Sequence, residues 1–517
     1  MDATSAQVPL YTSLDQIFPD TKTLLTQGAR YNALAEEFEK HFGKKPTHIV
    51  RAPGRVNLIG DHIDYCLFSV IPAAIERDVL MAVGPQDGGD IGRVTAQNVD
   101  AKYTRQTFAP VKGDNKEWAL EIDTTQLRWE SYIKTGYYGV LEKFFENNDE
   151  KPKGLDLLVT GSVPAGSGLS SSAAMVVAST LSFLVINDKL DGISKGTLVD
   201  MTVRNETRVG VNSGGMDQSS SIISDADSAL FISFYPKLAA EPIPLPRTSP
   251  RSVFVCANSL VVSDKVVHSK TRYNLRSFES FVAARVLAKQ FGVRVGEREK
   301  ITLREFLDRW LGVKEGEELS PTDLLEALKN IEGKLDGLKL VDSDGSDGTQ
   351  VGVTLDEMIN LTGMDPKDFQ DIYLSWANVE AEHFQLYKRA KHVFAESRRV
   401  LEFREVCLRE GNADDTLREL GRLLDESHKS CSELCESSVP EVDLLCRLAK
   451  EAGAYGSRIT GAGWGGCTVS LVEEARVPEF IEKLKATYPP YHGLQPEELS
   501  EIIFATRPSS GASVYKV

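Results

Sequence analysis

The sequence predicts a two-domain α+β protein, and three observations carry that expectation. The chain is 517 residues long, and at roughly 100–200 residues per domain this supports two or more domains. Strand-like and helix-like patterns occur in both halves. Pro236, Pro242, Pro244, Pro246 and Pro250 cluster in a linker-like stretch, which places the boundary near residues 236–250.

On this reading residues 1–24 are an N-terminal extension, and 25–240 and 250–517 are the two domains. Residues 23–42 show helical apolar spacing. Residues 48–83 read as short strands and turns, punctuated by Pro53, Gly54, Gly60 and Pro72. Leu155–Val159 reads as a buried strand, ended by Gly161 and Pro164. A glycine-rich turn and a buried helix follow. That helix is apolar over Ala173–Ile186 apart from Ser179, Thr180 and Ser182, and is shorter than the ~18 residues of a membrane span. Another helix is expected over 195–208, with strands at Ala229–Phe234 and Val253–Ala257. From Thr271 the pattern is mostly helical, through 378–409, 415–437 and 440–452. Strands at Cys467–Val472 and Ile502–Ala505 then flank a helix at 477–487. Leu335–Gly352, with Asp336, Asp342, Asp344, Asp347 and several glycines, reads as an acidic surface insertion loop.

Composition narrows the partners. There are 75 acidic against 59 basic side chains, a net charge of −16. A polyanion would be repelled unless a local basic patch overrode that balance, so neither nucleic acid nor an anionic membrane is expected as a partner. The basic clusters Lys388-Arg389-Ala390-Lys391-His392 and Arg398-Arg399 are read as solvated helix faces. Seven scattered cysteines, and no apolar signal segment in Met1–Pro19, point to reduced thiols in the cytoplasm. Cys431 and Cys435 lie one helical turn apart, but no second Cys/His pair at zinc spacing accompanies them, so helix packing is the better reading.

Four stretches carry chemistry. Pro164-Ala-Gly166-Ser-Gly168-Leu-Ser170-Ser171-Ser172-Ala173-Ala174 joins a strand to a helix. Its glycines permit close backbone approach, a helix start attracts phosphate, and its hydroxyls add donors and a magnesium contact, for which Ser172 is the candidate. It has neither the lysine of a Walker A loop nor the third glycine of a dinucleotide fingerprint. A serine-capped helix is the plainer alternative. Arg51-Ala-Pro-Gly54-Arg55-Val-Asn57-Leu-Ile-Gly60-Asp61-His62-Ile63-Asp64-Tyr65 packs carboxylates, a histidine and an arginine into a turn suited to sugar hydroxyls, or to a simple Asx-turn. In Gly214-Gly215-Met216-Asp217-Gln218 the aspartate is either a general base or a helix cap. The glycines of Gly461-Ala-Gly463-Trp464-Gly465-Gly466-Cys467 imply close approach to a ligand or to an abutting loop.

Together these stretches resemble the GHMP kinase superfamily, and within it the galactokinases, over roughly residues 25–515. The resemblance implies a two-domain GHMP kinase fold with the active site in the cleft between domains, ATP and Mg²⁺ as cofactors, and phosphorylation of the C1 hydroxyl of galactose. It implies that Asp217 is the catalytic base and Arg55 the transition-state arginine. Asp61, His62, Asp64, Gly214 and Tyr273 would hold the sugar, with Arg55 and Asp217. Gly166, Gly168, Ser170, Ser171 and Ser172 would hold the ATP phosphates, with Trp129 and Tyr132 near the adenine and Ser263, Asp264 and Lys265 approaching the nucleotide. Two departures stand out. The family signature has Glu where this chain has Asp61, and its N-x-G after the Asp-Tyr pair is replaced by Cys66-Leu67-Phe68. The latter is similar to the branch holding fungal galactokinases and N-acetylgalactosamine kinases, which leaves the C2 substituent of the sugar open. A rival of another class is a galactose- and ATP-binding sensor that engages a transcriptional repressor. The retained Ser172-Ala173 pair favours an enzyme, and the Asp61-His62-Ile63-Asp64-Tyr65 segment disfavours a mevalonate kinase.

Overall fold

The computed structural model describes residues 2–517 apart from 87, 89, 114–116, 124, 125, 127, 147, 148, 211–213, 247, 264–270, 315, 340–351 and 376–378. The N-terminal half contains β1 (Leu10–Tyr11), α1 (Thr21–Phe42), β2 (His48–Ile59), β3 (Ile71–Pro85), β4 (Val94–Asn98) and β5 (Gln106–Phe108). A small ribbon of β6 (Val111–Lys112) and β7 (Trp118–Ala119) follows, then α2 (Trp129–Phe144), β8 (Leu155–Gly161), α3 (Ser171–Ile186), α4 (Lys195–Glu206) and α5 (Met216–Ile223). The hairpin of β9 (Ser228–Ser233) and β10 (Ala239–Pro244) leads into β11 (Ser252–Asn258).

The C-terminal half is helical through α6 (Tyr273–Gln290), α7 (Leu303–Leu311), α8 (Pro321–Glu332), α9 (Leu355–Thr362), α10 (Pro366–Phe369), α11 (Leu386–Leu408), α12 (Ala413–Glu433) and α13 (Pro440–Glu451). It closes with β12 (Gly456–Ile459), β13 (Cys467–Glu473), α14 (Val477–Thr487), α15 (Pro496–Ile502), β14 (Ile503–Thr506) and β15 (Ser513–Lys516). Among the described residues no helix is long and apolar enough to cross a membrane.

Two sheets organise these elements. The larger runs β1-β15-β2-β3-β8-β4-β5, and the C-terminal one is the antiparallel β12-β13-β11-β14. The last strand, β15, lies in the N-terminal sheet, antiparallel to β2 and parallel to β1. Both chain ends are thus woven into that sheet.

Local departures from the sequence reading have physical causes. Residues 48–83 form two long strands instead of short ones. Their register shifts between Pro53 and Arg55 and between Asn57 and Ile59, so bulges absorb the proline and glycine taken as breaks. The proline-rich stretch includes β10, which among the described residues pairs with β9 only, and an edge strand tolerates Pro242 and Pro244. The acidic insertion does not lie wholly on the surface: its start is a 3₁₀ turn, Leu335–Leu338, whose two leucines are buried. Its remainder, 340–351, lies outside the described residues.

Helix α3 runs through the middle of the N-terminal half, buried on nearly all sides. Its hydroxyls turn onto carbonyls: Ser179 Oγ donates to Ile133 O at 2.7 Å, Thr180 Oγ1 to Val176 O at 2.9 Å and Ser182 Oγ to Ala178 O at 2.7 Å. Satisfied in this way, they lie in the core at little cost. The basic clusters of α11 are not solvated faces. Arg389, His392 and Arg399 are buried, and the two arginines pair with Glu279 and Glu436, and with Glu396. All seven cysteines are buried free thiols.

Candidate active site

Strand β8 ends at Gly161, and the chain turns through Gly166 and Gly168, both left-handed (φ 66° and 76°), into α3. Ser170 precedes the helix at φ 59°, and its side chain caps nothing. Its Oγ is buried without a partner among the described residues. The serine-capped alternative therefore does not hold, and the positive end of α3 is available to an anion. A cleft of about 730 Å³ opens over this turn. Gly166, Gly168, Ser170, Ser171 and Ser172 line it, with Trp129 and Tyr132 from α2, Tyr103, Glu206, and Val262 and Ser263 from the other half. Asp264 and Lys265 lie outside the described residues.

The glycines at 461–466 serve an abutting loop. A Cβ at Gly461 would collide with the Gly168 carbonyl, one at Gly465 with Val261 O, and one at Gly466 would stand 2.7 Å from Ser167 O. Cys467 N donates to Ser167 O at 2.8 Å, Ser263 N to Gly166 O at 3.1 Å and Ser263 Oγ to Gly463 O at 2.6 Å. Backbone from the C-terminal half thus buttresses the serine-rich turn.

Arg55 joins three elements. Its Nε and Nη2 donate to Asp217 Oδ1 at 2.8 and 2.7 Å, and its Nη1 to Gly168 O at 2.6 Å. Asp217 is the second residue of α5, whose N-cap is Gly215, so it is not the cap. Both side chains are buried. A buried ion pair costs about as much desolvation as it returns in attraction, which makes chemistry a better reason than stability for its presence beside the cleft.

The turn after β2 lies beneath. His62 has φ 61°, and its Nε2 donates to Ala462 O at 3.1 Å, which sets the tautomer. Its ring meets Trp464 edge-on at 5.5 Å and Tyr273 at 5.3 Å. A Cβ at Gly214 would run into the Asp64 carboxylate, so only glycine lets the two segments meet. Burial pushes the Tyr273 hydroxyl well above its ordinary range, and the carboxylates of Asp64, Asp217, Glu206 and Asp61 push it further. It stays a neutral donor facing those acids. Asp61 is buried, with Oδ1 accepting from Asn57 Nδ2 and Oδ2 from Arg458 Nη2, both at 2.6 Å.

The structure also brings in one residue outside the motifs and gives one motif residue a contact at the site. Glu206, the last residue of α4, lines the cleft and accepts from Gln218 Nε2. Trp464 walls the His62 ring. Nothing around Glu206 in sequence marks it, because its partner Gln218 and the Ser170–Ser172 stretch lining the same cleft come from other segments.

Residues 36–85 match the family model described as the galactokinase galactose-binding signature, 132–225 the GHMP kinases N terminal domain and 381–490 the GHMP kinases C terminal model. The chain is 34% identical to a galactokinase of Dictyostelium discoideum over 99% of both chains. It is 36% identical to a galactokinase of Saccharomyces cerevisiae over 94% of each. The crystal structure of Lactococcus lactis galactokinase complexed with galactose superposes with a TM-score of 0.65 at 23% identity, covering 93% of this chain and 99% of that one.

Proposed function

The chain belongs to the galactokinase family of the GHMP kinases, and on that premise we propose that it transfers the terminal phosphoryl group of ATP to the C1 hydroxyl of galactose. The observation that carries this reading is the buried Arg55–Asp217 pair, bonded to the phosphate turn on one side and beside the Asp64–Tyr273 cluster on the other. Phosphoryl transfer asks a protein for positioning and charge stabilisation. The serine-rich turn and the start of α3 cradle the triphosphate. Asp61, His62, Asp64, Gly214 and Tyr273 orient the sugar. Asp217 accepts the C1 hydroxyl proton as that oxygen attacks the γ-phosphorus and ADP departs. Arg55 holds Asp217 in place and stabilises charge on the migrating group.

The residues present fit a magnesium ion. Ser172 and the Glu206 carboxylate offer hard oxygen donors on the same cleft, and Mg²⁺ takes one or two protein oxygens beside phosphates and water. When bound it neutralises charge on the β- and γ-phosphates. Trp129 and Tyr132 supply aromatic faces for the adenine. The seven unpaired thiols support a reducing, cytoplasmic setting.

The test is ADP release from Mg-ATP over a panel of sugars. Galactose is expected to react well, N-acetylgalactosamine with lower kcat/KM, and glucose poorly. Binding of galactose and ATP with no ADP release above background would reject the enzyme in favour of a sensor.

A further inference from the structure

The five residues leading into His62 are fastened by side chains from the C-terminal half. Thr460 Oγ1 accepts from Asn57 N at 2.9 Å and donates to Asn57 O at 3.1 Å. Arg458 Nη1 donates to the carbonyls of Asn57 at 3.0 Å and Leu58 at 3.3 Å. Glu396 Oε1 accepts from Gly60 N at 2.9 Å, and His392 Nε2 donates to Asp61 O at 3.0 Å. Arg458 Nη2 holds Asp61 Oδ2 at 2.6 Å.

Arg458 and Glu396 are 0% exposed, His392 1% and Asp61 2%. The cluster is electrically closed: Arg458 faces Asp61, and Arg399 faces Glu396 at 2.8 Å. Burial would raise the Glu396 carboxyl, but Arg399, Arg458 and His392 bring it down to about 2. Burial holds the His392 ring down at about 4, against the pull of Glu396, so it is neutral near pH 7.

A buried ion pair of this kind is weak evidence for stability, yet every anchor here lands on one short run of backbone. Asp61 is one methylene shorter than the glutamate of the family signature, and both its oxygens already rest on Asn57 and Arg458. Its position is therefore set by Arg458. We propose that Arg458 is a positioning residue for sugar binding, acting through the Asp61 carboxylate and the carbonyls of Asn57 and Leu58, and that β12 and α11 of the C-terminal half hold the sugar turn in register. This rests on the reading of that turn as the sugar site.

The experiment compares the full-length parent with Arg458→Lys and His392→Leu, measuring galactose KM and, by titration without sugar, ATP Kd. A lysine keeps the charge but cannot serve Asp61 and two carbonyls together. Arg458→Lys is expected to raise galactose KM about tenfold and leave ATP Kd within about twofold. His392→Leu, which removes only one anchor of the turn, is expected to show the same split at about threefold. Galactose KM unchanged within about twofold in both variants, or ATP Kd rising in parallel with it, overturns the proposal. If Arg458→Lys does not fold, His392→Leu decides alone by the same criterion. A parent that fails to phosphorylate galactose overturns the functional reading and this inference together. A parent that turns over galactose while the variants show no split overturns only this inference.

Discussion

The serine-rich turn and the sugar turn lie on either side of Arg55, and they are built by opposite means. The first is held by backbone. Gly168 and Gly461 touch main chain to main chain, and Cys467 N closes onto Ser167 O. The second is held by buried polar and charged side chains: Arg458, Glu396 and the neutral His392 grip residues 57–61 from the other half. A phosphate presents the same oxygens whatever carries it, so peptide N–H groups at a helix start suffice. A sugar must be told from its epimers, which needs directional donors and acceptors fixed by a supporting shell. The regions should therefore fail differently when disturbed: one through lost backbone proximity, the other through lost charge and hydrogen-bond geometry.

Asp217→Asn tests the point where the two meet and should have the largest effect. Asparagine keeps the shape but cannot take a proton, so kcat is expected to fall about 10²–10⁴-fold while galactose Kd, read by calorimetry, changes little. Turnover within about tenfold of the parent would make Asp217 structural. Next come two glycine substitutions that should separate the regions. At Gly461 (φ 89°) an alanine meets the Gly168 carbonyl, with strain of about 1–3 kcal/mol, so steady-state kinetics should show ATP KM rising and galactose KM holding. At Gly214 an alanine displaces the Asp64 carboxylate, and the reverse pattern is expected. Identical responses from both variants would show that the two turns behave as one unit.

A smaller effect concerns acid stability. The folded-state pKa of His392 is lowered from 6.5 to about 4, chiefly by burial. The unfolded chain takes up that proton first, so the contribution is full above pH 6.5 and lost as pH falls towards 4. It amounts to about 3 kcal/mol. Glu396, lowered from 4.5 to about 2 by its arginines against the opposing effect of burial, contributes in a lower window, between pH 4.5 and 2. Urea unfolding at pH 7 and pH 4.5 should show His392→Leu losing less stability on acidification than the parent; equal losses would contradict the His392 assignment. The smallest effect is expected from deleting residues 340–350, which keeps the buried Leu335 and Leu338. Its acidic, glycine-rich composition predicts unchanged kcat, and a large fall would show that the segment packs on the site.

Legibility followed the same division. The serine-rich turn was readable because glycine spacing between a strand and a helix is local, and β8 and α3 lie where their patterns put them. Helices α1, α12 and α13 are apolar stripes at helical spacing, and that too is local. The long β2–β3 pair was misread because a bulge and a break look alike until the partner strand is present. The burial of Arg389 and His392 is not legible because the groups facing them, Glu279, Glu436 and Asp61, are distant in sequence; Arg399 pairs with the nearby Glu396, whose own burial comes from contacts to Gly60 and Ser427.

By itself the sequence singled out the segments that the structure gathers around the cleft: the strand-to-helix serine turn, the Arg55–Asp64 cluster, Asp217 and the glycines before Cys467. Residue type and spacing set those properties within a few turns of chain. Only the tertiary structure decided that the glycines at 461–466 meet a loop instead of a ligand, that Asp217 pairs with Arg55 instead of capping a helix, that Glu206 joins the cleft, and that β15 returns to the first sheet. Apart from Glu206, whose partner Gln218 is twelve residues away, each is a contact across a hundred residues or more, or a choice between alternatives that only such a contact resolves. Contacts of that kind depend on how separate hydrophobic faces pack, which local periodicity does not encode.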